Sequence, residues 1–363
     1  MEPLAEGSLE PLVARYDAFL LDLDGVLYIG PHAVAGAAEA VATLREAGTR
    51  VAFVTNNASR TPEAVATHLT TLGIAAKAGD VVTSAQAAAG LVALAVAPGS
   101  AVLVVGGDGL DAAIRERGLR PVRSAADHPV AVVQGFSPDV GWRLLAEGTY
   151  AVRAGLPWVA SNLDVTVPTE RGLAPGNGAL VRVIVLATGR HPVVAGKPES
   201  ALHLEAVHRT AARCPLVVGD RLDTDIEGAN RVGVASLLVL TGVTTPVDLV
   251  LAEPRSRPTY VAEDLRTGVV RPHPPVRRRP DGQWRCGGWE CAVSAGRVTL
   301  TGAVNHSMDS ARSAWPVGAS RSRSNRRRSG TSWSRSVWGR TGQMVQSVDE
   351  ARDGRHFRLT LTA

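Results

Sequence analysis

Lysine, cysteine, methionine and aromatic residues are all scarce in this 363-residue chain. The three cysteines, Cys214, Cys286 and Cys291, are odd in number and lack metal-ligand spacing. That excludes a disulfide framework and points to a reducing, cytoplasmic compartment. No apolar run reaches the ~20 unbroken residues of a membrane span. The longest, Leu91–Val105, is interrupted by Pro98, Gly99 and Ser100. The start, Met1-Glu2-Pro3 with acids at Glu6 and Glu10, lacks the basic-then-apolar order of a secretory signal. Low hydrophobicity, the mark of global disorder, is absent too, since 45% of residues are hydrophobic. The length predicts two or three domains.

The net charge of +5 hides a split. Residues 271–363 carry 17 Arg and 6 acids, a net of +11, while residues 1–270 carry 22 basic and 28 acidic residues, a net of −6. The body is mildly acidic, and the basic tail is read separately from it.

In the body, strands alternate with helices. Apolar runs predict strands at Asp17–Leu23, Arg50–Val54, Ala101–Val105, Val130–Gln134, Trp158–Ala160, Val193–Ala195, Leu216–Gly219 and Ser236–Leu240. Helical periodicity covers Ala33–Ala47, Pro62–Leu72 and Lys197–Arg209. The alternation predicts a doubly wound, parallel, Rossmann-like α/β sheet. Near Tyr260 the pattern fades.

Ligands of such sheets sit outside the carboxyl ends of the strands. Four predicted strands end in Asp22-Leu23-Asp24-Gly25, Thr55-Asn56-Asn57, Gly196-Lys197-Pro198 and Gly219-Asp220, with Asp223 and Asp225 just beyond. Singly, each has a commonplace reading as a turn, a helix cap or a solvated face. Together they bring carboxylates, a hydroxyl and an ammonium to one crevice. Lys197 is one of only two lysines among 39 basic residues, and lysine offers a compact point charge where arginine offers a fork. The chemistry that fits is phosphoryl transfer. Asp22 is the candidate nucleophile, forming an aspartyl phosphate. Asp24 is the candidate acid and base. Mg2+ would be held by Asp22, Asp220 and the backbone carbonyl of Asp24, with Asp225 behind. Thr55 and the amides around Asn56 and Asn57 would bind the phosphoryl oxygens, and Lys197 would balance their charge. Val105-Gly-Gly-Asp-Gly109 hints at a dinucleotide loop but lacks the full Gly-x-Gly-x-x-Gly spacing.

These four segments, with Asn57-Ala58-Ser59 and Gly219–Asp225 in full, resemble the motifs of the haloacid dehalogenase superfamily, over about residues 14–265. The segment Ala160–Gly178 is similar to the cap loop of its NagD-type branch, and the order and spacing are nearest to actinobacterial glycerol 3-phosphate phosphatases. The resemblance implies a discontinuous phosphatase core (14–85 and 187–265) and an inserted α/β cap (86–186). It also implies Mg2+ as cofactor, a small phosphorylated metabolite as substrate, and a homodimer through the cap. Asn162, Asp164 and Arg171 in the cap loop are the expected specificity residues. Glycerol 3-phosphate is the expected substrate. Phosphoglycolate, pyridoxal phosphate and nucleoside monophosphates are the alternatives.

Residues 266–283 read as a linker and 284–363 as a C-terminal extension. Residues 284–301 alternate like the start of a small β or α/β unit. From Ser307 to Gln343, however, 31 of 37 residues are Ser, Arg, Gly, Ala, Trp, Pro or Thr, against 18 of 37 in Tyr16–Ala52. All seven types have codons with G or C in second position, as a shifted frame of a GC-rich gene produces. The expectation is that native sequence ends near residue 302 and that the rest is disordered or out of frame. Two other classes compete with a phosphatase. A phosphoacceptor signalling module carries adjacent acids and no cap, unlike this chain. An Arg-rich nucleic-acid binder would act through the tail, with salt-dependent binding.

Overall fold

The apolar run Ala18–Leu21 is a strand with all four residues buried, and it lies inside a six-stranded sheet in this computed structural model. The structure describes residues 7–169, 171–286, 289–294, 297–303, 345–350 and 356–362. The strand order is Tyr260–Ala262, Ala235–Val239, Pro215–Gly219, Ala18–Leu21, Arg50–Thr55, Val81–Thr83, and every pair is parallel. The chain runs outward one way through Arg50–Thr55 and Val81–Thr83, then returns to the other side at Pro215–Gly219. The switch point therefore lies between Ala18–Leu21 and Pro215–Gly219, and residues leaving those strands share a crevice.

Helices cover the sheet where periodicity predicts them, at Ala37–Glu46 and Pro62–Thr71. The second starts cleanly because Thr61 accepts from the Ala64 N–H and Pro62 occupies the first turn. The helix expected from Lys197 begins instead at Ser200. A proline biases its predecessor away from helical backbone, so Pro198 keeps Lys197 in the loop before the helix.

A second parallel sheet is inserted between Val81–Thr83 and Pro215–Gly219. Its order is Val193–Val194, Trp158–Ala160, Ala131–Gln134, Ala101–Val105, Arg120–Val122. Val193–Val194 pairs with Trp158–Ala160 and so belongs to the insert, beyond the boundary expected at 186. An antiparallel hairpin, Thr166–Thr169 with Gly172–Pro175, precedes the helix Asn177–Thr188.

The two sheets share an apolar cluster. Leu20, Ala52 and Val54 of the first sheet pack in it with Val102, Val104, Val133 and Val159 of the second, through Leu110, Ile114 and the helix Ser84–Ala95. Full burial of one such side chain contributes about 1.5–3 kcal/mol, so this shared core fixes the insert firmly. The Gly-rich turn at 106–109 explains a close contact. A Cβ on Gly109 would lie 2.4 Å from the Ala58 carbonyl oxygen and 2.8 Å from that of Arg60, so only glycine lets the insert approach the segment after Thr55. Ion pairs between Arg117 and Glu205 (2.6 Å) and between Arg209 and Glu116 (3.3 Å) add to the seam.

Glu10–His273 form one unit, and residues 1–9 with 274–363 form another. In the second unit the described strands are Val276–Arg278, Trp284–Cys286, Trp289–Ser294, Arg297–Ala303, His356–Thr362 and Val345–Glu350, in that order and all antiparallel. Where a linker is expected over 266–283, the structure has the end of the helix Leu265–Val270 and the edge strand Val276–Arg278. An edge strand tolerates the nearby prolines because its outer face needs no ladder donors. Residues 304–344, which hold the whole Ser/Arg-rich stretch Ser307–Gln343, lie outside the described residues. Val345–Glu350 and His356–Thr362, well past the expected break, are strands of the sheet that also contains Arg297–Ala303.

Candidate active site

Asp22 leaves the first strand at the switch point, its side chain 13% exposed. Asp24 follows two residues later at the solvent-facing mouth. The turn between them and Tyr28 requires Gly25. Its φ is +83°, and a Cβ there would lie 2.4 Å from Asp220 Oδ2. Tyr28 donates its hydroxyl to Asp24 Oδ2 at 3.4 Å. Crowding by the surrounding chain raises the Asp24 carboxyl above its ordinary range, although Lys197 and the Tyr28 bond oppose the rise. Asp22 is raised well above that range by burial, with Lys197 opposing and Asp225 and Asp220 adding to it.

Lys197 is 5% exposed. Its Nζ donates to Asp22 Oδ1 at 2.5 Å and to Asp225 Oδ1 at 2.6 Å. Burial works to lower the ammonium pKa, but the two carboxylates outweigh it and hold the group firmly charged. Asp225 sits on the single turn Leu222–Ile226, where its Oδ2 also accepts from the Arg221 N–H at 3.1 Å. Asp220 follows Gly219 and is 1% exposed. Its Oδ2 accepts from the Val243 N–H at 2.6 Å. Burial first, then Asp225, pushes its carboxyl up to about 6.

Thr55 ends its strand 3% exposed, and its Oγ1 accepts from the Asn57 N–H at 3.0 Å. Asn57 Oδ1 accepts from the Ser59 N–H (2.8 Å) and hydroxyl (2.7 Å), closing a local turn. The Asn56 side chain is likewise occupied. Its Nδ2 donates to Asp164 Oδ2 (3.2 Å) and to the Lys197 carbonyl (3.1 Å), and its Oδ1 accepts from the Lys197 N–H (2.8 Å). Both amides expected at a phosphate thus have their side chains engaged elsewhere. With the Asn57 N–H given to Thr55 Oγ1, the Asn56 backbone N–H and the Thr55 hydroxyl are the donors this loop can offer.

Among the described residues, one carboxylate oxygen each from Asp22, Asp220 and Asp225 lie within 4.8 Å of one another. Asp220 Oδ1 is buried without a hydrogen-bond partner there. An orphaned carboxylate oxygen beside two further carboxylates is costly unless a cation is present. Hard oxygen donors of this kind suit Mg2+. Asp225 has both oxygens committed to Lys197 and Arg221, which fits the rear position expected for it.

From the inserted loop, Asn162 donates Nδ2 to the Asn56 carbonyl (2.6 Å), and Asp164 meets Asn56 as described. Burial raises the Asp164 carboxyl, with the Asn56 bond and Arg221 opposing. Arg171 is placed differently from Asn162 and Asp164. It is exposed at the hairpin turn, where its N–H meets Thr169 Oγ1 at 3.3 Å. Three groups escaped the sequence reading. Tyr28 touches Asp24, the Val243 N–H holds Asp220, and Ser84 donates to the Asn56 carbonyl at 2.6 Å. Only Gly242, following a predicted strand, offered a signal for one of them.

A Rossmann-like sheet with a capping insert, carboxylates and one buried lysine at its switch point defines a hydrolase acting by phosphoryl transfer. The patterns of the haloacid dehalogenase-like hydrolases match residues 19–120 and 194–268. The chain belongs to that family and is a phosphatase within it. It is 48% identical over 299 residues to a D-glycerol 3-phosphate phosphatase of Mycobacterium tuberculosis, covering 80% of each chain. An acid sugar phosphatase of Staphylococcus saprophyticus is 39% identical, over 69% of this chain and 96% of its own. Among solved structures, a glycerol phosphate phosphatase of Mycobacterium tuberculosis in complex with magnesium superposes with a TM-score of 0.75 at 49% identity, covering 80% of this chain and 86% of that one. A p-nitrophenyl phosphatase from Archaeoglobus fulgidus gives 0.65 at 29%, over 70% of this chain and 98% of its own. The mycobacterial match spans more of the chain than residues 1–273 can supply, so it reaches into the C-terminal unit.

Proposed function

We propose that this phosphatase hydrolyses small phosphate monoesters, glycerol 3-phosphate first among them, through an aspartyl phosphate on Asp22. The observation that carries the reading is the gathering of Asp22, Asp220 and Asp225 around one orphaned carboxylate oxygen, with the Lys197 ammonium against Asp22. Lys197 fixes one oxygen of Asp22 and neutralises charge as phosphate approaches. Asp22 attacks phosphorus, and the bond from phosphorus to the ester oxygen breaks. Asp24, whose carboxyl the surrounding chain raises above its ordinary range, gives its proton to the leaving alkoxide. It then takes a proton from water, which attacks phosphorus and releases phosphate from Asp22. The Thr55 hydroxyl and the backbone amide of Asn56 hold the phosphoryl oxygens, while the Asn57 N–H orients Thr55 Oγ1. Mg2+, held by Asp22, Asp220 and the Asp24 carbonyl with Asp225 behind, supplies neutralisation of the charge between an anionic nucleophile and a dianionic ester.

The substrate reading rests on the mycobacterial relative and on the cap loop, which brings Asn162 and Asp164 to the same side of the crevice as Asn56. Asp164 is an acceptor suited to the hydroxyls of a polyol phosphate. A cytoplasmic site of action is part of the same proposal, supported by the free thiol of Cys214, and no helix among the described residues is long and apolar enough to cross a membrane. A homodimer through the cap stays a proposal on the family likeness alone. Turnover of glycerol 3-phosphate, phosphoglycolate, pyridoxal phosphate and p-nitrophenyl phosphate by the purified chain tests the reading. Glycerol 3-phosphate should give the highest kcat/KM, EDTA should silence the enzyme, and added Mg2+ should restore it. Equal, EDTA-insensitive rates would refute it.

A further inference from the structure

We infer that the Asn56 side chain is a positioning group, which ties the cap loop at Asp164 to the loop that carries Lys197 and so couples the alcohol end of the substrate to the phosphate end. The inference rests on the phosphatase reading above.

Five groups hydrogen-bond to this residue. Its carbonyl accepts from Asn162 Nδ2 (2.6 Å) and Ser84 Oγ (2.6 Å). Its amide oxygen accepts from the Lys197 N–H (2.8 Å), and its amide nitrogen donates to the Lys197 carbonyl (3.1 Å) and to Asp164 Oδ2 (3.2 Å). Only one amide orientation satisfies these partners. The Lys197 N–H is a donor and must meet Oδ1, while the carbonyl and the Asp164 carboxylate are acceptors and must meet Nδ2. No carboxylate or apolar side chain of this size can do both. The main chain of Lys197 is therefore clamped on both its polar groups by a residue 141 positions earlier. Its ammonium must fall between Asp22 and Asp225, and a rigid backbone keeps it there. The third bond of the amide lies on the cap loop, so a substrate that shifts Asp164 pulls on the clamp. Contacts with the alcohol then act on turnover as well as on binding.

The test is a cycle of Asn56→Asp, Asp164→Asn and the double variant of the full-length protein, assayed on glycerol 3-phosphate and p-nitrophenyl phosphate with Mg2+. Asn56→Asp sets a carboxylate against the Lys197 carbonyl and Asp164, and should lower kcat on both substrates by about tenfold or more, with a smaller change in KM. Asp164→Asn should carry its own loss, larger on glycerol 3-phosphate. In the double variant the new amide at 164 can donate to the new carboxylate at 56, so kcat should recover about threefold or more over Asn56→Asp. Wild-type kcat in Asn56→Asp, or a double variant whose losses simply multiply, would overturn the inference. If circular dichroism shows Asn56→Asp unfolded, Asn56→Ser takes its place. The clamp being broken, adding Asp164→Asn should then change the p-nitrophenyl phosphate kcat by less than about twofold, and a full multiplicative loss would overturn the inference. A wild type inactive on every phosphate would sink the phosphatase reading instead.

Discussion

His203 shows how burial and a neighbouring charge act on a single residue. It lies on the helix after Lys197, 1% exposed, with neither ring nitrogen hydrogen-bonded among the described residues. Gly228 makes room for it, since a Cβ there would lie 2.7 Å from Nε2. Burial, and then the charge of Lys197, pushes the imidazole down to about 3. The folded protein holds the ring neutral, while the unfolded chain protonates it below its ordinary value of about 6.5. Stability from this residue is therefore intact above about pH 6.5 and falls as pH drops toward 3, by up to about 1.4 kcal/mol per unit. His203→Gln removes that titration. Between pH 7.5 and pH 5 the melting temperature of the wild type should fall further than that of the variant. Parallel curves would show that the ring is not buried neutral. The same helix marks what sequence could not tell: a lone histidine there reads as surface or packing, and only the fold shows it buried and within the field of Lys197.

At the scale of elements, strand ends were readable because parallel buried strands are continuous apolar runs punctuated by polar turns. Asp22, Thr55 and Asp220 follow from that pattern directly. The strands Val81–Thr83, Arg120–Val122 and Tyr260–Ala262 were not read, because pairing with their neighbours sets them. Nor was the Asn56 clamp, whose partners lie 108 and 141 residues away. The turn at Gly106–Gly109 was visible as a glycine cluster, but its purpose depends on contact with Ala58 and Arg60. Gly109→Ala tests that purpose. Its methyl must displace backbone oxygens, which should cost about 1–3 kcal/mol, the scale of overpacking. Gly141→Ala, in open space at a helix start, should cost at most about 1 kcal/mol, the helix-cap preference. Chemical denaturation measures both, and equal effects would mean that the seam can adjust.

For the whole molecule, the cap shares its apolar core with the catalytic sheet, while the C-terminal unit is an antiparallel sheet of its own. Relatives covering 96–98% of their own length match only 69–70% of this chain, so the phosphatase fold is complete in proteins shorter than this one. All proposed catalytic groups precede Ile226. A chain ending at His273, whose Nε2 bonds the Gly268 carbonyl at 2.8 Å, should keep the kcat of the full protein within about threefold. Loss of activity in a truncated chain that still melts cooperatively would assign the C-terminal unit a part in catalysis.

If phosphate passes through Asp22, it can be trapped there. Asp24→Asn removes the proton carrier from both half-reactions and should slow turnover by ~10²–10⁴-fold. Rapid quenching of this variant with glycerol 3-phosphate and Mg2+, followed by peptide mass spectrometry, should find one phosphoryl group on Asp22. Asp22→Asn treated in the same way should carry none and turn nothing over. A phosphoryl group on another residue, or sustained turnover by Asp22→Asn, would contradict the account.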